Sequence, residues 1–339
     1  MDLFDLARTL IDIESVTGHE RAVGDFLYEH LSRLAAGTGG TVERMPVEAG
    51  RFNVFAAWGE PAVVLSTHMD TVPPFFPSAD DGDHLRGRGA CDTKGGIASM
   101  VKAAEELLAR GHRGFGLLFV VGEETDSAGA TVADRNPRGS RFLINGEPTE
   151  NRLALGSKGA LYLRLEAAGR AAHSAYPELG ESAIDRLLAA LARVLEVPLP
   201  SDPTLGETTL NIGTVAGGRA ANVIPDEARA EVMLRTVGPT EELAAALRAA
   251  IEAVPGVRIA EQRETRAMRL GAVPGFETTV VKYTTDIPRL PSWGKPFLLG
   301  PGSIHVAHTP DERVPKRELV EAVGLYRDLV LRLQSGETT

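Results

Sequence analysis

Short apolar runs alternate with helical patterns along the first half of the chain and again near its C-terminal end. Four runs with flanking turn residues predict short buried strands, at residues 62–65, 115–121, 142–144 and 296–299. Apolar residues at helical spacing predict two helices within residues 1–36 and further helices at 97–110 and 316–333. Thr17 and Glu20 have the spacing of a capping box, so we expect the second helix to begin there. This order is typical of an α/β fold with a mostly parallel central sheet flanked by helices.

Residues 157–267 follow a different pattern. Leu161, Leu163 and Leu165 alternate with other residues, which predicts a strand with one exposed face. The predicted order of the whole segment is strand, helix, strand, strand, helix, strand, as in a ferredoxin-like α+β domain. We therefore expect one domain built from residues 1–156 and 268–339, with residues 157–267 inserted into it as a second domain.

Composition and charge narrow the class of function. The chain has 339 residues and a formal net charge of −10 without a basic block, which argues against nucleic acid as the main partner. Its single cysteine, Cys91, excludes an internal disulfide and fits a reducing compartment. No apolar run approaches the roughly 20 residues that span a bilayer. The N-terminus lacks the pattern of a signal peptide. We expect a cytoplasmic protein without a membrane partner.

Acidic residues and histidines follow the predicted strands of the first domain. In open α/β sheets, ligands bind at the carboxyl ends of the strands. One such residue alone is more often a helix cap or a surface charge, but here the pattern recurs after every one of the four apolar runs. We therefore interpret these positions as a metal site. They are His68 and Asp70, then Glu123 and Glu124, then Glu147, and finally His308.

Carboxylates and imidazoles without thiolates suit zinc, cobalt or manganese. Two neighbouring ions need a bridging carboxylate and terminal ligands on each, and Asp92 in a glycine-rich segment adds a further carboxylate. Where Glu123 and Glu124 are adjacent, one can bind metal while the other stays free as a general base. Asp70 lies two residues after His68, on the same side of an extended chain, and is a candidate to orient its ring.

The chain resembles the M20 family of metallopeptidases and deacylases, which includes acetylornithine deacetylase, succinyl-diaminopimelate desuccinylase and carboxypeptidase G2. The resemblance rests on five segments in the family's order. They are Ser-Thr-His-Met-Asp-Thr-Val-Pro at 66–73, Gly-Arg-Gly-Ala-Cys-Asp-Thr-Lys-Gly-Gly at 87–96, Gly-Glu-Glu at 122–124, Asn-Gly-Glu-Pro-Thr at 145–149 and Ala-His-Thr-Pro-Asp-Glu at 307–312. It extends over nearly the whole chain and implies a zinc-peptidase-type catalytic domain with an inserted lid and dimerisation domain.

The resemblance also implies a role for each residue of the first domain's site. Two zinc ions are expected, for which cobalt or manganese can substitute, with Asp92 between them. His68 and Glu147 would complete the ligands of one ion, and Glu124 and His308 those of the other. Glu123 would be the general base and Asp70 the partner of His68. His305 is a competing histidine, but only His308 lies in the family-like segment.

In the inserted domain, the segment around His173 resembles the family's lid, where a histidine stabilises the oxyanion in the partner subunit's site. Asn222 and Arg235 are candidates to bind the substrate carboxylate or the oxyanion, although an exposed strand arginine without function is an equally good interpretation of Arg235. The glycine loop with Gly300 and Gly302 resembles one whose backbone amides bind that carboxylate. A homodimer through the inserted domain is implied.

These features predict a dizinc amidohydrolase that removes an acyl group from an N-acyl-amino acid, as acetylornithine deacetylase does. In this mechanism, metal-activated water attacks the amide and Glu123 takes its proton. The first alternative is a dipeptidase or carboxypeptidase of the same family acting on short peptides. The second is a metal-bound dimer that no longer catalyses, which the presence of Glu123 disfavours.

Overall fold

A computed structural model describes residues 1–338. The chain divides into two compact units. The first unit contains residues 1–155, 270–279 and 285 onward, and the second contains residues 156–269 and 280–284. No helix within the described residues is long and apolar enough to cross a membrane.

The described residues form seven α-helices. They are α1 (Leu3–Asp12), α2 (Arg21–Thr38), α3 (Gly95–Ala109), α4 (Ala128–Asp134), α5 (Ala183–Leu195), α6 (Glu241–Glu252) and α7 (Lys316–Gln334). The side chain of Asp2 caps α1 by accepting a hydrogen bond from the amide of Asp5 at 2.8 Å. Apolar residues at helical spacing then bury one face of this helix, including Leu6 and Leu10.

The predicted capping box at the start of α2 is wrong. The helix begins at Arg21, and Glu20 at its N-cap makes no side-chain cap bond. The Glu20 carboxylate instead pairs with the guanidinium of Arg51, at 2.6 and 2.9 Å. The Thr17 hydroxyl donates to the carboxylate of Asp70 at 2.7 Å. Both side chains are recruited by residues distant in sequence, which local spacing does not reveal.

The strands are short in the first unit and longer in the second. In chain order they are β1 (Thr41–Glu48), β2 (Arg51–Trp58), β3 (Val63–His68), β4 (Ala79–Asp80), β5 (His84–Arg86), β6 (Phe115–Val120), β7 (Phe142–Asn145), β8 (Leu153–Ser157), β9 (Gly159–Ala168), β10 (Ala172–His173), β11 (Ser201–Asp202), β12 (Gly206–Glu207), β13 (Thr209–Gly217), β14 (Val223–Ile224), β15 (Glu227–Thr236), β16 (Val257–Thr265), β17 (Met268–Arg269), β18 (Thr278–Val281), β19 (Lys295–Leu298) and β20 (Arg313–Pro315).

The first unit is built on a six-stranded sheet with the order β1-β2-β6-β3-β7-β19. Strands β6, β3, β7 and β19 are parallel to their neighbours within this group, whereas β1 and β2 are antiparallel. Strands β3 and β6 are buried at every position, which explains their unbroken apolar runs. The predicted α/β class with a mostly parallel sheet is confirmed. The carboxyl ends of the four parallel strands lie at one edge, where the candidate site forms.

The second unit has an antiparallel sheet with the order β13-β15-β9-β16. Counted within this unit, the four long strands lie in the order 2-3-1-4, which is the ferredoxin-like arrangement. Alternate residues of β9 are buried, as its sequence pattern predicts. The buried residues pack against apolar residues of α5 and α6, including Leu187 and Leu247.

Residues 280–284 belong to the second unit, although the sequence pattern assigned them to the first. They follow or end strand β18, which lies in one three-stranded sheet with β8 and β17. The amide of Lys158 also donates to the carbonyl of Val281 at 3.1 Å. These pairings join segments more than a hundred residues apart in sequence, so no local pattern marks them.

Candidate active site

The predicted ligands of the first unit lie close together at the carboxyl ends of its parallel strands. His68 is the last residue of β3, and Glu123, Glu124 and Glu147 follow β6 and β7. Because β3 pairs in parallel with both β6 and β7, the fold brings these three strand ends to one edge. The loop after β19 brings His308 to the same cluster, where its imidazole Nε2 lies 3.0 Å from the Glu124 carboxylate.

Asp92 lies between two imidazoles. Its Oδ1 is 3.0 Å from Nε2 of His68, and its Oδ2 is 3.2 Å from Nε2 of His308. Asp92 is buried in the turn before α3. One carboxylate therefore offers a different oxygen to each histidine, which is the geometry that a bridging ligand needs.

The remaining carboxylates divide between the two histidines. Glu124 is close to His308, as described above, whereas Glu147 Oε2 is 3.9 Å from Nε2 of His68. The other oxygen of Glu147 is buried and has no hydrogen-bond partner among residues 1–338. His68, Asp92 and Glu124 alone offer three ligand atoms within 4.8 Å of one another. His305 is exposed and is not part of this group.

Burial and mutual repulsion both act on the carboxylates of this cluster. Burial raises the pKa of Glu123 and of Glu147 well above the ordinary value, and neighbouring carboxylates add to the effect. Burial would also raise the pKa of Asp92, but His308 and His68 hold it below its usual range. Hydrogen bonds to Asp92 and Glu124 raise the pKa of His308 to about 10. A cation at this cluster would relieve the repulsion between the carboxylates.

Asp70 lies beside His68, as expected, but its carboxylate also bonds to a second group. The His68 Nδ1–H donates to the backbone carbonyl of Asp70 at 2.9 Å, while the nearer carboxylate oxygen is 3.6 Å away. The carboxylate instead accepts from the backbone amides of Gly122, Glu123 and Glu124, at 2.9, 3.1 and 3.2 Å. Its main contacts are therefore with the turn that carries the candidate base.

The amides of Gly300 and Gly302 are not free for a substrate. The Gly300 N–H donates to the Thr149 hydroxyl at 3.0 Å, and the Gly302 N–H donates to the Glu318 carboxylate at 2.9 Å. A Cβ at Gly302, where φ is +87°, would lie 2.5 Å from the Cβ of Cys91. This glycine allows close packing of two loops. We therefore exclude both glycines from the substrate site proposed below.

Asp286 is a buried carboxylate that the sequence analysis missed. It is 1% exposed, and neither oxygen has a hydrogen-bond partner within the described part of the chain. Burial raises its pKa to about 6, and its charge in turn raises the pKa of Glu123 and Glu147. It precedes a short 3₁₀ turn (Ile287–Arg289) rather than following a strand, so the rule that found the other carboxylates does not find it.

The candidates of the second unit fall into two places. His173 in β10 pairs with Val223 of β14, and the Ser174 amide donates to the carbonyl of Asn222 at 3.0 Å, so His173 and Asn222 are near neighbours. Both are exposed. Arg235 lies in β15, where it pairs with Thr209 and Ala160. It is partly buried, and desolvation alone lowers its pKa.

Comparison with known proteins identifies the family. The sequence model described as "Peptidase family M20/M25/M40" matches residues 64–332. A Peptidase M20 domain-containing protein of Schizosaccharomyces pombe is 38% identical over 348 residues, covering 97% of this chain and 84% of that protein.

This chain belongs to peptidase family M20.

Another M20 relative, from Aspergillus terreus and named "Probable carboxypeptidase", is 40% identical over 369 residues, covering 95% of this chain and 84% of that protein. The fold agrees with that of a tripeptidase from Staphylococcus aureus, with a TM-score of 0.80 and 21% identity over 97% of this chain and 98% of that chain. The family resemblance, the fold class and the assignment as a metal-dependent hydrolase of amide bonds are confirmed.

The residues of the site fit the metal that an M20 enzyme requires. The donors are carboxylate oxygens and imidazole nitrogens, the set that zinc and related divalent ions prefer. The His68 Nδ1–H is already committed to a carbonyl, so in the neutral ring Nε2 presents a lone pair toward Asp92. The buried Glu147 oxygen without a partner offers a further ligand atom. Cys91 is not one of the proposed metal ligands, and its Sγ contacts the carbonyl of Ser303 and the Glu312 carboxylate instead.

Proposed function

We propose that this M20 enzyme is a dinuclear metallopeptidase that cleaves the peptide bond next to a free C-terminal carboxylate in short peptides. The observation that carries the proposal is the position of Asp92 between two imidazoles, each with its own glutamate nearby. The carboxylate oxygens and imidazole nitrogens of this cluster match the ligands that two metal ions sharing the Asp92 carboxylate would need. His68 and Glu147 would hold one ion, Glu124 and His308 the other, and Asp92 would bridge them. Two zinc ions bound there would polarise the scissile carbonyl and acidify the attacking water.

Glu123 is the general base of the proposed reaction. It is adjacent to Glu124, and since Glu124 is the carboxylate that lies against His308, we assign Glu123 as the one that stays free to take a proton. Burial raises its pKa, which brings it closer to the range in which one carboxylate both accepts and donates a proton. It would take the proton of the attacking water and deliver it to the leaving amine. Asp70 fixes the position of Glu123 through its backbone amide.

Arg235 supports a substrate with a free carboxylate. No acidic side chain pairs with it among residues 1–338, whereas many other arginines of the chain form ion pairs. A partly desolvated guanidinium without a counter-ion is suited to a bidentate carboxylate. We propose that Arg235 recognises the C-terminal carboxylate and that His173, with Asn222 beside it, stabilises the oxyanion in the partner subunit's site.

A homodimer through the second unit is part of the proposal. Strand β13 is at an edge of its sheet, and most of its residues are exposed. Helix α5 exposes Leu188 and Leu195 at 52% and 62%. An exposed edge strand beside apolar side chains favours pairing with a second copy of the same chain. Light scattering after size exclusion tests this, and a monomer at all concentrations would contradict it.

N-acyl-amino acids are the alternative substrates, because they also carry an amide next to a free carboxylate. The name of the "Probable carboxypeptidase" relative is the reason that we propose peptides rather than N-acyl-amino acids for this chain. The deciding experiment loads the protein with zinc or cobalt and measures hydrolysis of two matched panels, N-acetyl-amino acids and dipeptides. C-terminally amidated versions of the same compounds serve as controls. Cleavage of free-acid peptides with loss of activity on their amides supports the proposal. Release of acetate alone would favour the deacetylase, and equal cleavage of the amides would contradict carboxylate recognition.

A further inference from the structure

A buried ion pair lies beside the proposed metal centre. Arg88 and Glu312 are each 1% exposed, and the Arg88 Nη1 is 2.5 Å from the Glu312 Oε2. The Arg88 Nε also donates to the carbonyl of Pro74 at 3.2 Å, and its guanidinium lies over the ring of Phe76, 5.0 Å from the centroid. The arginine side chain is therefore held by three groups, which are the Glu312 carboxylate, the Pro74 carbonyl and the Phe76 ring.

The second oxygen of Glu312 holds the loop that carries Asp92. Oε1 accepts from the backbone amide of Gly89 at 2.9 Å and from that of Asp92 itself at 3.3 Å. Gly89 has a φ of +86° and Asp92 has a non-helical backbone, so this loop departs from a regular helix. Its conformation depends on bonds of this kind.

The other end of this connection is the loop that carries His308. Glu312 follows His308 in the same short segment, and its amide donates to the carbonyl of Thr309 at 3.4 Å. The Glu312 carbonyl accepts from the amide of Gly87 at 3.2 Å, which adds a second link between the loops. His308 has a φ of +62°, a strained conformation for a histidine that the surrounding structure has to hold.

We propose that Arg88 and Glu312 are positioning residues for the dinuclear centre, which fix the Asp92 loop against the His308 loop. This inference rests on the proposed metal ligands. A buried ion pair contributes little net stability compared with apolar residues of similar size. We assign the pair a geometric role, because the Glu312 carboxylate sets the spacing between the bridging ligand Asp92 and the terminal ligand His308. Residues that orient metal ligands in this way typically change metal affinity by roughly 10- to 100-fold when they are replaced.

The test is Zn²⁺ titration of the metal-free protein, together with its thermal unfolding. Glu312→Gln keeps an oxygen for the Gly89 and Asp92 amides but removes the charge opposite Arg88. We expect it to weaken Zn²⁺ binding by about 10- to 100-fold. Arg327→Met is the matched control, since it breaks an ion pair of 2.7 Å between α7 and Glu106 of α3, away from the cluster. It should leave Zn²⁺ affinity unchanged.

A double variant separates positioning from folding. Replacing one partner leaves the other charge buried and unpaired, and that change alone is strongly destabilising. Arg88→Met with Glu312→Gln removes both charges and keeps an oxygen for the Gly89 and Asp92 amides, so the metal-free protein should melt near the wild-type temperature. We expect its Zn²⁺ affinity to remain at least 10-fold weaker. Wild-type affinity in a folded double variant, or in Glu312→Gln, would overturn the proposal. Failure of the wild-type protein to bind Zn²⁺ would instead overturn the metal centre itself.

Discussion

His68 and His308 approach the same carboxylate from opposite sides, but the protein holds them in different ways. The His68 side chain is 1% exposed, whereas that of His308 is 49% exposed. His68 ends a buried strand and is fixed through Nδ1 by a backbone carbonyl. His308 lies on a loop with positive φ that depends on contacts with other loops. The buried end of the centre is thus set by the sheet, and the open end by tertiary contacts between loops.

The difference implies that the two ends respond differently to substitution. At the buried end, removing one member of an ion pair leaves the other charged side chain out of contact with water, which lowers the stability of the fold. At the open end, water can replace a lost partner, and the cost falls on metal binding rather than on folding.

His68→Ala should have the largest effect on the protein. It removes the partner of Asp92 at the buried end, and the metal-free protein should lose about 3–5 kcal/mol of unfolding free energy. His308→Ala should cost less than His68→Ala, because the His308 side chain is half exposed, although its partners Asp92 and Glu124 are buried. Both variants should bind at least one metal ion fewer. Chemical denaturation of the metal-free proteins provides the comparison, and equal losses in the two variants would remove the distinction between the ends.

Glu123→Gln should lower kcat by about 10²- to 10⁴-fold while leaving the metal content unchanged, because it removes the base and no ligand. Steady-state kinetics with metal counting on the same sample is the measurement. Glu124→Gln is the informative partner variant, since it should lower metal content as well. Near-normal kcat in Glu123→Gln would rule out its role as the base.

Asp286→Asn should stabilise the metal-free protein in a pH-dependent way. The pKa of Asp286 is raised to about 6 from an ordinary value of 3.8, so the folded state binds its proton more tightly than the unfolded state. The wild-type protein therefore loses stability as pH rises from about 4 to about 6, and the asparagine variant avoids this loss. Well above pH 6 we expect a gain on the order of 3 kcal/mol, which disappears near pH 4.

The control for this prediction has the opposite sign. Hydrogen bonds from the His84 amide and Arg86 lower the pKa of Asp81 to about 2, so its contribution is present above pH 4 and is lost on acidification. Asp81→Asn should therefore destabilise the protein at neutral pH. Thermal unfolding of both variants across the pH range gives the answer, and a pH-independent effect of Asp286→Asn would show that its charge is not the cause.

Thr17→Val should have the smallest effect. It removes one of four donors to the Asp70 carboxylate, at 2.7 Å, and should cost about 1–2 kcal/mol in unfolding free energy. Since Asp70 also holds the amides of the turn with Glu123, kcat should fall modestly as well. Thr17→Ser keeps the hydroxyl and is the matched control. If valine and serine behave alike, the hydroxyl does not support the turn.

The contrast between the two ends also explains what the sequence could predict. His68 and the glutamates after β6 and β7 follow apolar runs, and their convergence follows from parallel pairing of those strands. His308 also follows an apolar run, but the rule does not distinguish it from His305, and the family-like segment was needed to choose it. Fold class and family were predictable because both depend on periodicity and on motifs that extend over the chain.

Contacts between distant segments were not predictable. The carboxylate of Asp70 lies 3.6 Å from Nδ1 of His68, its expected partner, but its hydrogen bonds to a turn more than fifty residues away were not expected. Glycines at 300 and 302 resembled a carboxylate-binding loop, yet their amides bond Thr149 and Glu318. Asp286 follows no strand, and nothing in its neighbours marks it as buried. In each case tertiary packing determines the hydrogen-bond partner, and the spacing of residues along the sequence does not reveal it.

The most direct test of the central claim is a crystal structure of the zinc-loaded protein with anomalous data collected at the zinc edge. The account predicts two anomalous peaks, one on each side of the Asp92 carboxylate. The first should lie beside His68 and Glu147 and the second beside Glu124 and His308. A single peak, or peaks that do not contact Asp92, would contradict a dinuclear centre bridged by this residue.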